Sequence, residues 1–285
     1  MPLKTVVAGV RHFLLALQFF TRIPVTGRLA RWVGYSPAML RASAAHFPAV
    51  GWVVGAIGAL AFALASVLWP PAVAAVLATV ATVLATGAFH EDGLADVADG
   101  LGGTQDRARA LEIMRDSRIG AFGAIALVLA LGLKLATLAA LAQVGRTTWA
   151  DGGVAGRPIG PWHGGTASAC AGLLAAHVLS RLAPLAPMRW LPHVSGEASK
   201  SKPLADAVSG CALGIAALWS APAVAVLALM FGVPAALGAL AAAGSVTFAL
   251  ACWFRRRLGG FTGDCLGATQ QVAEIAIYLA LAARW

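Results

Sequence analysis

The sequence predicts an all-α polytopic integral membrane protein, a bundle of about seven or eight transmembrane helices. Three observations carry this expectation. The 285 residues are 59% hydrophobic and only 12% charged, with a mean hydropathy of +0.79, whereas soluble domains carry about 25% charged residues. Apolar stretches of about 20 residues, enough to span about 30 Å of hydrocarbon as helix, recur along the whole chain. The polar connections between them are short and leave no room for a soluble domain, so residues 1–285 read as one integral membrane domain.

In chain order, residues 5–20 form a weak first segment carrying Arg11 and His12. Spans are expected at 45–69 and 71–90, punctuated by Pro70 and Pro71, then at 121–144 and 166–183. Residues 206–232 and 234–254 follow, separated at Pro234, and 267–283 comes last. Gly51, Gly55 and Gly58 lie inside one span, where small residues let helices pack closely in lipid. The start of the chain has the basic and apolar parts of a signal peptide, but TRIPV stands where a small-residue cleavage site should be, so it is expected to be retained. Cys170, Cys211 and Cys252 fall in apolar segments and Cys265 in a polar loop, which offers no disulfide framework. No internal repeat is apparent.

The net charge of +9 does not point to nucleic acid, because no basic stripe is interleaved with stacking aromatics. The Lys and Arg sit instead at the ends of apolar segments. Loops 21–44, 91–120, 184–205 and 255–266 share one side if the spans pair as hairpins, and they hold fourteen of the 21 basic residues. The opposite loops hold only Arg146 and Arg157, with Arg284 near the C-terminus. The positive-inside rule then places the four loops in the cytoplasm, as expected for a multi-pass protein of the bacterial inner membrane.

Against this background, residues 90–100 read HEDGLADVADG, and seven of the twelve acidic residues lie between 91 and 116. If the helix ending near Phe89 continues, Asp92, Asp96 and Asp99 are spaced i, i+4, i+7 and fall within about 60° on one face. Like charges so placed repel. A helix keeps them where a counter-charge arrives, and a hard cation with oxygen ligands, Mg²⁺ above all, suits carboxylates and phosphates. Glu91, off that face, could reach the same ion or act on a substrate proton. A solvated acidic loop is the alternative, but Gly93 and Gly100 bracket the acids and basic partners follow at once.

Those partners are in IMRDSRIGAFG, where Arg115, Asp116, Ser117 and Arg118 precede a new span. Arginine forks match phosphate oxygens, and the helix start near Gly120 offers free amides to an anion. Taken alone, Arg115 and Arg118 are also topology anchors. In GGFTGDCLGATQQVAE, Asp264 beside Thr262 reads as a cap, a metal ligand or a hydroxyl-activating base, and Glu274 is an ionisable group inside a span. Lys134 is too deep to snorkel and is expected to face a carboxylate or an anionic substrate. Arg181, near the end of its span, is expected to snorkel. His46, opening HFPAVG, is either interfacial or a substrate contact. Metal-binding acids beside phosphate-binding cations suggest phosphoryl or phosphonucleotidyl transfer, in which positive groups neutralise developing charge.

At these residues the chain resembles the cobalamin synthase (adenosylcobinamide-GDP ribazoletransferase) family. The matching pieces run in order from about residue 17 to 275: LQFFTRIPV, HFPAVG, FHEDGLADVADG, IMRDSRIGAFG and GGFTGDCLGA. A looser likeness to membrane CDP-alcohol phosphotransferases covers only the metal logic, because their DG-x2-AR element is missing. The resemblance implies a Mg²⁺-dependent attack of α-ribazole, or its 5′-phosphate, on the corrinoid-bound phosphorus of adenosylcobinamide-GDP, with GMP leaving. It further implies Mg²⁺ on Glu91, Asp92, Asp96 and Asp99, with Asp116 completing the shell or orienting an arginine. Arg115 and Arg118, with Ser117, would bind phosphate, Lys134 and His46 would contact substrate, and Glu91 or Asp264 would act as base. Segments 145–165 and 184–205 depart from the family's look. Another membrane phosphoalcohol transferase and a cation-coupled transporter remain the rival readings, the latter disfavoured because the acids gather at one membrane face. The sequence leaves open whether the chain forms a homo-oligomer.

Overall fold

The computed structural model describes residues 2–143, 165–194 and 208–283, with backbone alone for residues 2–4. The calls on Arg146, Arg157, Lys200, Lys202, Arg284 and most of the two divergent segments lie outside the described residues. The described residues form thirteen α-helices: α1 Pro2–Phe20, α2 Gly27–Val33, α3 Pro37–Ser43, α4 Phe47–Leu68, α5 Pro71–Thr86, α6 Phe89–Gly103 and α7 Arg107–Ile113, then α8 Ala121–Leu141, α9 Gly165–Ser180, α10 Leu185–Trp190, α11 Gly210–Phe231, α12 Val233–Leu258 and α13 Gly263–Ala282. A turn of 3₁₀ helix, Ala44–His46, joins α3 to α4.

Six helical stretches are long and apolar enough to cross a membrane, and α5 with α6 makes a seventh if that bent pair counts as one span. The expected all-α membrane bundle is therefore what forms. The apolar part of α1, Thr5–Phe20, falls short of a span. Leu64, Val67, Leu84, Val128, Leu218 and Leu229 point outward, as lipid-facing side chains do when the surrounding solvent is as apolar as they are.

Close packing is set by small residues. A side chain at Gly51 would run into the backbone of His177 and Val178, and one at Gly55 would press on Leu174. These glycines, one helical turn apart, let α4 and α9 approach backbone to backbone.

The expected span 71–90 is corrected. Helix α5 stops at Thr86, and α6 leaves it at 90°. Two consecutive left-handed residues make the elbow, Gly87 at φ +68° and Ala88 at φ +58°. Alanine rarely adopts that conformation, so the elbow is held by its surroundings. The TRIPV segment after α1 supplies part of that hold: Arg22 N donates to Ala85 O at 2.7 Å, and its guanidinium lies where a Gly87 side chain would be. The acidic stretch is thus a separate helix lying across the end of the bundle.

Candidate active site

Helix α6 is fixed along its length by its neighbours. Gly93 faces Asp264 and Gly267 of α13, so that a side chain there would strike the Asp264 carbonyl at 2.8 Å. At the other end, Arg257 at the end of α12 donates to the carbonyls of Leu101 and Thr104, neutralising the carbonyl end of α6. Asp99 bridges to α8: its carboxylate accepts from Gly120 N at 2.7 Å and Gly123 N at 2.8 Å. One expectation changes here: the amides at the head of α8 are occupied by the protein's own carboxylate, and Asp99 caps that helix with both oxygens while staying near enough to Asp96 to raise its pKa.

The remaining acids and bases of the two motifs do meet. Glu91, Asp92, Asp96, Arg115, Asp116, Ser117 and Arg118 all line one cleft of about 400 Å³ between α6 and the α7–α8 connection. Asp92 is exposed and Asp96 half-buried. The Asp96 carboxyl is pushed up to about 7, first by burial and then by Asp264, Asp92 and Asp99. Across the cleft, Arg118 grips Asp116 with Nε and Nη2, the shorter contact being 2.6 Å. Those bonds hold the Asp116 carboxyl down to about 2. Asp116 thus orients an arginine, one of the two roles expected for it.

Asp264 sits in the first turn of α13, where Thr262 caps the helix by accepting from Cys265 N at 3.3 Å. Asp264 leaves the capping to Thr262, whose Oγ1 donates to its carboxylate at 3.2 Å. The loop delivering it is pinned by residues 192–194, with Phe261 N donating to Pro192 O and Val194 N to Phe261 O. This short pairing closes the described part of the divergent segment 184–205, which begins with α10.

Behind the cleft runs a chain of buried polar groups that sequence reading found only in part. Glu274, 0% exposed, receives Lys134 Nζ at 2.7 Å, Gln270 Nε2 at 2.8 Å and Tyr278 OH at 3.1 Å. Gln271 Nε2 donates both to Gln270 Oε1 at 2.9 Å and to Glu91 Oε1 at 3.0 Å. The other oxygen of Glu91 is buried without a hydrogen bond. Lys134 accordingly meets a carboxylate, the first of the two partners expected for it. The clue to Gln270 and Tyr278 was their spacing: 270, 274 and 278 recur every four residues on one helix face.

One further expectation is corrected: Arg181 does not snorkel. It is 4% exposed, and its Nη1 donates to the His177 carbonyl at 2.9 Å and to His177 Nδ1 at 3.1 Å. His46 lies away from the cleft, where its Nδ1 accepts from Trp219 Nε1 at 3.2 Å, so it ties the start of α4 to α11.

As the side chains stand, no group of three or more His, Cys, Asp or Glu among the described residues is gathered tightly enough to hold a metal ion. Their chemistry nevertheless fits a hard cation. An unpartnered carboxylate oxygen on Glu91 and acids crowding Asp96 leave negative charge unbalanced, and like charges spread apart until a counter-ion draws them in.

Fold and site together define a multi-pass membrane enzyme with an acid-lined cleft at one end of its bundle. The profile described as cobalamin-5-phosphate synthase matches residues 12–282, and the chain belongs to that family. A relative from Polaromonas naphthalenivorans (strain CJ2), named adenosylcobinamide-GDP ribazoletransferase, is 56% identical over 282 residues, covering 96% of this chain and 98% of the relative. Relatives of the same name from Leptothrix cholodnii, 46% identical with 96% of each chain covered, and Vibrio cholerae, 40% identical with 95% and 93% covered, also match. No solved structure matches the chain.

Proposed function

We propose that this protein is an adenosylcobinamide-GDP ribazoletransferase that assembles the cobalamin nucleotide loop in the bacterial inner membrane, with its cleft facing the cytoplasm. The observation that carries the reading is the single cleft shared by both family motifs, acids on α6 and arginines before α8. The orientation is supported by the basic residues of the cleft side, among them Arg107, Arg109, Arg115, Arg118 and Arg255 to Arg257.

Adenosylcobinamide-GDP brings a diphosphate, and Arg115 and Arg118 bind its oxygens, with Asp116 fixing the Arg118 fork. Asp92 and Asp96, opposite Asp264, would hold Mg²⁺, which supplies charge neutralisation for the diphosphate. A ribose hydroxyl of α-ribazole, or of its 5′-phosphate, attacks the corrinoid-bound phosphorus, the bond to the GMP oxygen breaks, and GMP leaves. Glu91 takes the hydroxyl proton: Gln271 holds one of its oxygens, and the other is unpartnered.

Turnover in detergent tests this. Purified protein given adenosylcobinamide-GDP, α-ribazole and Mg²⁺ is expected to form GMP and the cobalamin product in equal amounts, and to stop when the metal is chelated. Folded, lipid-supplied protein that forms neither product would overturn the reading.

A further inference from the structure

The motif residues that the acid cleft does not use converge elsewhere. Phe19 and Phe20 of LQFF, Phe47 of HFPAVG, and Phe89 and His90 of FHEDG come from three separate helices, yet together they wall one pocket, with Arg181 and the face of α13 bearing Gln270. The rings touch edge to face, with Phe20 4.4 Å from Phe47 and 5.5 Å from Phe89. His90 stacks on Phe20 at 5.9 Å with 16° between the rings. Pro184 and Leu266 complete the lining. Arg181, 4% exposed, is among the residues that line the pocket, and its Nε is buried without a hydrogen bond although its Nη1 is held by His177.

A buried N–H without an acceptor, in an aromatic box, suits a planar aromatic ring that carries a hydrogen-bond-accepting nitrogen. Stacking and edge contacts would hold the ring, and the ring nitrogen would satisfy Nε–H. The pocket also adjoins the chemistry. His90 lines it while Glu91, the next residue, lines the acid cleft, and Gly263 lines it while Asp264 follows.

We propose that this pocket receives the benzimidazole base of the acceptor, its ring nitrogen accepting from Arg181 Nε–H, so that the attached ribose is led toward Glu91. The proposal rests on the reading of the chain as a ribazoletransferase. The enclosed space is about 40 Å³, room for two or three waters and less than a bicyclic ring needs. Phe89, which lines it and is 41% exposed, is the ring that would swing outward to admit the base.

Equilibrium dialysis of α-ribazole against the full-length protein in nanodiscs, without the corrinoid substrate, tests the pocket alongside steady-state kinetics. Arg181→Gln and Phe20→Leu are each expected to weaken α-ribazole binding at least tenfold. Each should raise KM for α-ribazole by a similar factor and leave KM for adenosylcobinamide-GDP within about twofold. Phe20→Leu keeps the test decisive if the arginine variant does not fold. An active wild type whose folded variants bind α-ribazole normally, or lose co-purified lipid with both KM values unchanged, would make the pocket a lipid seat and overturn this proposal alone. A folded wild type that neither binds α-ribazole nor turns over would overturn the functional reading with it.

Discussion

Glu274 on α13 and Asp96 on α6 are carboxylates on helices that pack together, yet the protein treats them in opposite ways. Glu274 is wholly enclosed and surrounded by donors: Lys134, Gln270 and Tyr278. Asp96 is half-buried among other acids, Asp264, Asp92 and Asp99. Burial is therefore not what distinguishes a site from a structural element here. Enclosed charge that is matched internally fixes the bundle, whereas enclosed charge left unmatched is stabilised by a ligand that brings the counter-charge.

The sharpest way to break this contrast is to neutralise one carboxylate of the unmatched group. Asp96→Asn is expected to lower kcat with adenosylcobinamide-GDP and α-ribazole at least a thousandfold, about 4 kcal/mol of transition-state stabilisation. The thermal midpoint should hold or rise, because a repulsive charge has gone. Near-normal turnover, or a large fall in the midpoint, would put Asp96 with Glu274 among the structural acids. On the matched side the effect falls on stability instead. Lys134→Met leaves Glu274 short of its cation and is expected to cost about 3 kcal/mol, at the low end because Gln270 and Tyr278 still donate. Adding Glu274→Gln should recover much of that loss in a double-mutant cycle, and additive losses would show that the two charges are not coupled.

The same contrast explains how far the sequence could be read. The helical spans were legible because hydropathy reports lipid contact directly, and the motif set of Asp92, Asp96, Arg115 and Arg118 was legible because charge in an apolar chain is conspicuous. The elbow was not. Its cause is a left-handed Ala88 braced by Arg22, a contact between residues more than sixty positions apart that no local periodicity encodes. Nor was the partner of each charge legible: Lys134 announced that it needed an anion, but only packing shows that Glu274 supplies it. The pocket walled by Phe19, Phe47 and Phe89 escaped for the same reason, since its rings come from three separate helices.

A smaller effect follows from the proton that Asp96 retains. Its carboxyl is raised from an ordinary 3.8 to about 7, so the metal-free folded protein binds a proton that the unfolded chain has already lost. Stability contributed by this group is fully present below about pH 4 and is lost as pH rises through about 7. The measurement is the difference in thermal midpoint between wild type and Asp96→Asn without divalent metal. That difference should turn against the wild type by a few degrees between pH 5 and pH 8, and Mg²⁺ should shrink it by taking the proton's place. A pH-independent difference would mean that the acids around Asp96 do not repel one another as described.

The finest distinction concerns Asp99, which the family resemblance places with the metal and the structure places on the amides of Gly120 and Gly123. Asparagine caps a helix nearly as well as aspartate, while alanine forfeits the cap at about 1 kcal/mol. If Asp99 belongs with the matched carboxylates, Asp99→Asn, which keeps one of the two accepting oxygens, should lose less stability than alanine does, under about 1 kcal/mol, and keep turnover within about threefold, an energy difference of roughly 0.6 kcal/mol. Asp99→Ala should lose about 1 kcal/mol and depress activity only as far as α8 loosens. The opposite pattern is just as clear: an asparagine variant of normal stability whose turnover collapses, with a raised Mg²⁺ requirement, would return Asp99 to the unmatched acids. The comparison is informative because asparagine keeps one accepting oxygen for the two amides, whereas alanine keeps none, and both remove the charge that a divalent cation needs.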